Sequence, residues 1–134
     1  MIEPVLDNHC HLAADNRGIE AVKDFQRSGG THLLVVNQPS WKLGIEVAEG
    51  GDFRAVFDET VEIVDRASDA LPGRAWPVLG VHPALISRLV DRGHSPDEAA
   101  ELMRGGLDVA AEYAADGPAI ALKSGRPHYD VADV

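Results

Sequence analysis

His9 and His11 are the residues of this chain best suited to chemistry, because they stand two positions apart at the end of an apolar segment. Side chains at i and i+2 of a β-strand point to the same side, so both imidazoles can approach one ion. Neutral imidazole binds zinc, manganese or iron, and Asp7 could hydrogen-bond a ring from behind and fix its tautomer. The pair therefore predicts a metal site, with structural or incidental histidines as the alternative.

Further polar side chains follow other apolar segments of the chain. In parallel α/β folds the active site lies at the carboxyl ends of the strands, so we expect these side chains to gather there. They are Asn37, His82, Lys123, Arg126 and His128. His32 and His94 fall elsewhere, at a strand start and in a loop before a helix, and are interpreted as structural or surface residues.

The elements that must position these residues alternate along the chain. Apolar runs predict strands at 5–12, 31–36, 75–82 and 119–123. Helical spacing and capping residues predict helices at 19–28, 53–70, 84–90 and 95–115, the last with a possible kink at Gly105-Gly106. Alternation without hairpin signals implies right-handed crossovers and a parallel sheet. The prediction is an α/β domain of parallel βα repeats over residues 1–134.

Length and composition limit the possible classes. A chain of 134 residues can bury a core, but a complete eight-stranded α/β barrel needs about 250. No apolar run approaches the roughly 18–20 residues that span a membrane, and the first residues show no leader pattern, so a cytoplasmic protein without a membrane partner is expected. Cys10, the single cysteine, excludes an intrachain disulfide and is predicted to be a small buried residue on the strand face opposite the histidines.

The charge of the chain is strongly acidic, with a net value of −10. This balance disfavours a protein that coats DNA without regard to sequence, which would be basic. Only three lysines are present (Lys23, Lys42 and Lys123), and such a surface is typical of a salt-rich, halophilic cytoplasm. An ordinary acidic protein would have the same composition, so both sources stay open.

Three motifs in this order resemble one family. The Asp7-to-Leu12 segment is similar to the D-x-H-x-H-L opening of the TatD family of metal-dependent hydrolases, in the amidohydrolase superfamily. Residues 80–83 resemble that family's G-x-H-P motif at the end of its third strand. Residues 121–125 fall where the family has a metal-bridging glutamate followed two residues later by glycine. The most similar subgroup is that of the archaeal TatD-related hydrolases.

The resemblance implies a fold and a site. The fold would be a TIM-like (β/α)8 barrel, of which this chain would be the N-terminal half with about four strands. One or two divalent ions (zinc, manganese, magnesium, iron or nickel, which the sequence does not distinguish) would be bound by His9 and His11 and would activate a water for hydrolysis. His82 would contact the substrate beside the metals, and Arg126 and His128 would bind an anionic substrate from the loop.

Two positions depart from the family pattern. Lys123 stands in place of the bridging glutamate, and in other branches of the superfamily a lysine on strand four is carboxylated so that its carbamate bridges two metals. The alternative is a cation that contacts substrate or a carboxylate, since an unmodified ammonium cannot bind a metal. Ala13 stands where the family commonly has aspartate. The family's later ligands, including the aspartate that serves as general base, would come from beyond residue 134.

Two hypotheses follow from these observations. The first is a divalent-metal-dependent hydrolase, incomplete as this chain, acting on a small-molecule or nucleic-acid-derived substrate as a phosphodiesterase, nuclease or amidohydrolase. The second is a non-catalytic half-barrel or assembly module that completes a barrel by self-association or with a missing C-terminal half. A small α/β domain that binds a metal or ligand without turnover is the remaining possibility.

Overall fold

The computed structural model describes residues 2–126 and contains, in that range, four strands and four α-helices, with two helices between the third and fourth strands. The strands are β1 (Leu6–Cys10), β2 (His32–Val36), β3 (Ala75–Leu79) and β4 (Ala121–Leu122). The helices are α1 (Asn16–Arg27), α2 (Phe53–Ala67), α3 (Leu85–Asp91) and α4 (Pro96–Ala115). The segment between β2 and α2 adds two short 3-10 turns, Ser40–Lys42 and Gly50–Asp52.

The four strands form one parallel sheet in the order β1-β2-β3-β4. The predicted α/β architecture of parallel βα repeats is therefore confirmed. The strands are shorter than the apolar runs, since β1 ends at Cys10 and β3 at Leu79. Around β4 the ladder continues through backbone bonds from Ile120 to Pro77 and from Lys123 to Leu79. His11, His82 and Lys123 therefore lie just beyond the last paired residues of β1, β3 and β4.

Local signals explain where the helices begin and end. The Asp15 side chain accepts a hydrogen bond from the backbone of Arg17 and caps α1. Ser95 and Glu98 form a reciprocal capping box at the start of α4, as the sequence predicts. Helix α4 runs without a break through Gly105, whose lack of a side chain lets Gly50 approach, because a Cβ on Gly105 would lie 3.0 Å from the Gly50 Cα atom. The possible kink at Gly105-Gly106 stays a prediction.

The core lies between the sheet and the helices in two clusters. Leu33, Val35 and Ala75 of the strands pack with apolar residues of α1 and α2, and Leu79 packs with α2, α3 and α4. Cys10 is half-buried against the first cluster, on the helix side as expected. Among residues 2–126, no helix has the length and apolarity to cross a membrane.

Candidate metal centre at the strand ends

His9 and His11 converge on a single point at the end of β1. Their Nε2 atoms lie 3.3 Å apart, and the ring planes are inclined by 78°. Two nitrogens that each lie about 2.0–2.1 Å from one tetrahedral zinc ion are separated by about 3.4 Å. The pair therefore has the spacing that one shared ion requires, as the sequence pattern indicates.

The backbone of β2 fixes the ring of His11. Its Nδ1 lies 2.9 Å from the carbonyl oxygen of Val36, and because a carbonyl can only accept, Nδ1 carries the proton. The neutral ring then has its lone pair on Nε2, directed towards His9, which is the tautomer that a metal ligand needs. Burial lowers the pKa of His11, and the nearby charge of Lys123 acts in the same direction, while the bond to Val36 opposes them. The neutral, ligating form is thereby favoured.

Asp7 has a different partner from the one suggested by the sequence. Its carboxylate accepts a hydrogen bond from the backbone N–H of His9, at 3.0 Å, and lies on the far side of the strand. A bulge explains this position: Asp7 pairs with Leu33 but Cys10 pairs with Val35, so one extra residue puts Asp7 and Cys10 on the same face. Burial and the Asp7 charge raise the pKa of the Cys10 thiol to about 11. A role for Asp7 behind a metal-bound ring stays a prediction.

The ends of β1, β2, β3 and β4 meet in one cleft of about 550 Å³. The predicted residues His9, His11, His82 and Lys123 all line it. The remaining lining comes from the segment after β2, which sequence reasoning did not single out: Gln38, Pro39, Trp41 and Lys42. That segment has no periodic pattern. In the sequence, a lysine beside a tryptophan after the end of a strand is the one signal that points to a site there.

His82 has the tautomer opposite to that of His11. Its Nδ1 accepts a hydrogen bond from the backbone N–H of Ala84 at 3.1 Å, so the proton of the neutral ring is on Nε2. The indole of Trp41 packs edge-on against the ring at 5.3 Å, and the guanidinium of Arg88 lies 4.6 Å from the indole centre on its face. The Nδ1 lone pair of His82 is therefore used by the backbone and is not available to a metal.

Asn37 connects neighbouring strands instead of facing the cleft. It is buried, its side-chain nitrogen donates to the Gly80 carbonyl at 3.0 Å, and its oxygen accepts from the Gly80 N–H at 2.9 Å. Gly80 in turn contacts the backbone of the next strand, since a Cβ there would lie 2.1 Å from the Lys123 carbonyl oxygen. The amide therefore joins the end of β2 to the end of β3, and Gly80 in turn packs against the strand end that carries Lys123.

The residues after β4 complete the set of predicted site residues. Lys123 is half-buried in the cleft, and burial lowers the pKa of its ammonium. Arg126 is exposed and is not among the residues that line the cleft, and His128 lies outside the described residues. Within residues 2–126, no group of three or more histidine, cysteine, aspartate or glutamate side chains is arranged to hold a metal. The described donors are thus two imidazoles beside a lysine.

Comparisons with known proteins agree with this geometry. The family model described as TatD related DNase matches residues 6–133. An uncharacterized protein of Methanocaldococcus jannaschii is 30% identical over 135 residues, which cover 97% of this chain and 45% of that relative. The chain thus spans a little less than half the length of the relative. No solved structure matched the chain.

Proposed function

Because this chain belongs to the TatD-related DNase family, we propose that it carries the histidine pair of a divalent-metal-dependent hydrolase. The observation that supports this is the 3.3 Å approach of the His9 and His11 Nε2 atoms, with His11 held in its ligating tautomer by Val36. When bound, a divalent ion would supply Lewis acidity and a hydroxide nucleophile near neutral pH. The two imidazoles favour zinc, iron or nickel over magnesium as the first ion.

His82 is proposed to bind the substrate. Its Nε2–H can donate to an oxygen of a phosphoester or of an amide carbonyl, and Trp41 and Ala84 keep the ring in place for this role. Arg126 and His128 are proposed to contact an anionic part of the substrate from the loop after β4. The general base, an aspartate in this family, is proposed to come from outside the described residues.

Lys123 is proposed to act as a carbamate. Its neutral Nζ would attack the carbon of CO2, forming an N–C bond and releasing one proton to solvent, and the product is an anionic oxygen ligand in the position of the family's glutamate. Its place directly after β4, in the same cleft as the histidine pair, supports this assignment. The alternative is an unmodified ammonium that contacts the substrate.

The decisive experiment measures the metal. Protein purified without chelator is analysed by mass spectrometry for zinc, manganese, iron and nickel, and the variant with both His9→Ala and His11→Ala is analysed beside it. We expect a stoichiometric transition metal in the wild type and its loss in the variant. The control is His94→Ala, a half-buried histidine in the loop before α4. A wild type without metal, or a double-alanine variant that keeps its metal, would contradict the proposal.

A second candidate function rests on the outer strands of the sheet. Among the described residues, β1 pairs only with β2 and β4 only with β3, and Leu6 and Leu122 on these outer strands are 53% and 48% exposed. Unpaired strand edges with exposed leucines favour association. We propose as the alternative a non-catalytic half-barrel that is completed by a second copy or by another polypeptide. Native mass spectrometry tests it: a dimer supports self-association, and a stable folded monomer counts against it.

A further inference from the structure

The cleft has a local charge opposite to that of the whole molecule. The chain has 22 acidic and 12 basic residues, of which three are lysines. Lys42 and Lys123 both line the cleft, whereas Lys23 lies on α1 and is paired with Glu20 at 2.9 Å. No aspartate or glutamate is among the described residues that line the cleft. An acidic protein has thus placed two of its three lysines around one acid-free opening.

Neither cleft lysine forms an ion pair with a residue in the described part of the chain. Both lysines line the same cleft as His9 and His11, so their positive charges share one space. Bringing cations together without a counter-charge is unfavourable. An anion that enters the cleft would relieve the repulsion between Lys42 and Lys123.

The segment that carries Lys42 is well anchored. Lys42 ends the 3-10 turn Ser40–Lys42, whose first residue is buried and accepts backbone hydrogen bonds from Leu43 and Ile45. Next to it, the indole of Trp41 is held against Arg88. The Lys42 backbone therefore has a fixed place at the edge of the cleft, while its exposed ammonium keeps the freedom to reach a ligand.

The charges around Lys42 indicate on which side an anion would lie. A neighbouring cavity of about 360 Å³ shares Gln38 and Lys42 with the cleft, but it also contains the carboxyl groups of Asp15 and Glu59. Asp15 is neutralised by Arg17 at 2.9 Å, and Glu59 has no such partner among the described salt bridges. An anion beside Lys42 would thus meet the unpaired carboxylate of Glu59 in that cavity and no described carboxylate in the cleft.

We propose that Lys42 is an anion-binding residue that holds an oxyanion of the substrate, with a phosphate group as the best fit, at the β2 side of the cleft. His82 would donate to the same substrate from the end of β3. That the oxyanion belongs to a substrate rests on the proposed function, but Lys42 can bind an oxyanion without a metal. Lys42 would then determine specificity from a segment that carries none of the family motifs.

The test uses the full chain and inorganic phosphate as the probe, titrated by calorimetry at low ionic strength in the absence of metal. Lys42→Gln removes the charge and is compared with Lys23→Gln, a matched change at an exposed lysine outside the cleft. We expect roughly a tenfold loss of phosphate affinity for Lys42→Gln and less than a twofold change for Lys23→Gln. An acetate titration shows whether the site prefers phosphate to a carboxylate. Equal effects of the two variants, or no effect of either, would overturn the proposal.

Metal content measured on the same preparations separates this inference from the proposed function. A wild type that lacks metal but shows Lys42-dependent phosphate binding contradicts the hydrolase proposal and supports the anion site. A wild type with stoichiometric metal and a phosphate affinity unchanged by Lys42→Gln contradicts the anion site alone. Because Lys42 is exposed, its variant should keep the wild-type thermal midpoint, which circular dichroism checks.

Discussion

The side-chain amide of Asn37 forms a two-bond pair with the backbone of Gly80, accepting from its N–H at 2.9 Å and donating to its carbonyl at 3.0 Å. A peptide group is thus matched by an amide of the same shape, in a place where the parallel ladder ends. Gly80 precedes His82 by two residues and contacts the Lys123 backbone. One buried amide therefore joins the end of β2 to the backbone that leads from β3 to His82.

Replacing Asn37 by aspartate should loosen this connection. The carboxylate can still accept from Gly80 but cannot donate to its carbonyl, which would be left buried opposite a negative charge. We expect a loss of about 1–3 kcal/mol in the free energy of unfolding, measured with urea. The His82 ring should also lose its single Nε2–H tautomer, which long-range proton–nitrogen NMR spectra report. Asn16→Asp, the same change at the exposed first residue of α1, should leave the His82 spectrum unchanged and should not destabilise the protein, since a carboxylate in the first turn of a helix is mildly stabilising. An unchanged His82 spectrum in Asn37→Asp would argue against the connection.

A methyl group at Gly80 should separate β3 from β4. Its Cβ would lie 2.1 Å from the Lys123 carbonyl oxygen, which is backbone and cannot swing aside. Overpacking of this kind costs about 1–3 kcal/mol or more, and equilibrium denaturation of Gly80→Ala would measure it. The matched control is Gly51→Ala, where the nearest atom is a glutamate oxygen at 3.8 Å. Similar unfolding free energies for both variants would show that the contact with Lys123 is relaxed in solution.

Bicarbonate should strengthen metal binding if Lys123 acts as a carbamate. Competition with a coloured chelator measures the affinity for zinc with and without bicarbonate. Lys123→Glu supplies a permanent carboxylate and should bind zinc tightly in both conditions. Lys123→Gln should lose at least the roughly 10–100-fold in affinity typical of a missing partner at a metal site. If bicarbonate has no effect on the wild type and Lys123→Gln binds normally, the lysine is not a ligand.

The Cys10 thiol should react slowly at ordinary pH. Burial, and then the Asp7 charge, raise its pKa to about 11. A raised thiol pKa means that the reactive thiolate is a minor species at pH 8 to 10, so alkylation by iodoacetamide should accelerate up to about pH 11 in the native protein. In denaturant the rate should level off above about pH 8.5, the ordinary thiol pKa. Mass spectrometry of samples quenched over time gives both profiles, and a native profile that also levels off near pH 8.5 would contradict the burial of Cys10.

The sequence predicts the features that depend on local pattern. Apolar runs such as 31–36 and the capping box at Ser95 mark the alternating elements, and the spacing of His9 and His11 brings their rings together. The bulge in β1 is not readable from the chain, because residues 7–11 are mostly polar and either register fits them. The role of Asn37 depends on its register with Gly80, 43 residues away, and no local pattern encodes a contact at that separation.

The opposite tautomers of His11 and His82 are both set by backbone atoms, the carbonyl of Val36 at the end of β2 and the N–H of Ala84 before α3. These atoms stay when the side chains of Val36 and Ala84 are substituted, with proline at position 84 as the exception, so the difference between the two rings is a property of the fold. His11 keeps the lone pair of its Nε2 atom, and His82 keeps the proton there. The surface residues of this protein can therefore be substituted widely, for example towards high acidity, while His11 and His82 keep their different tautomers.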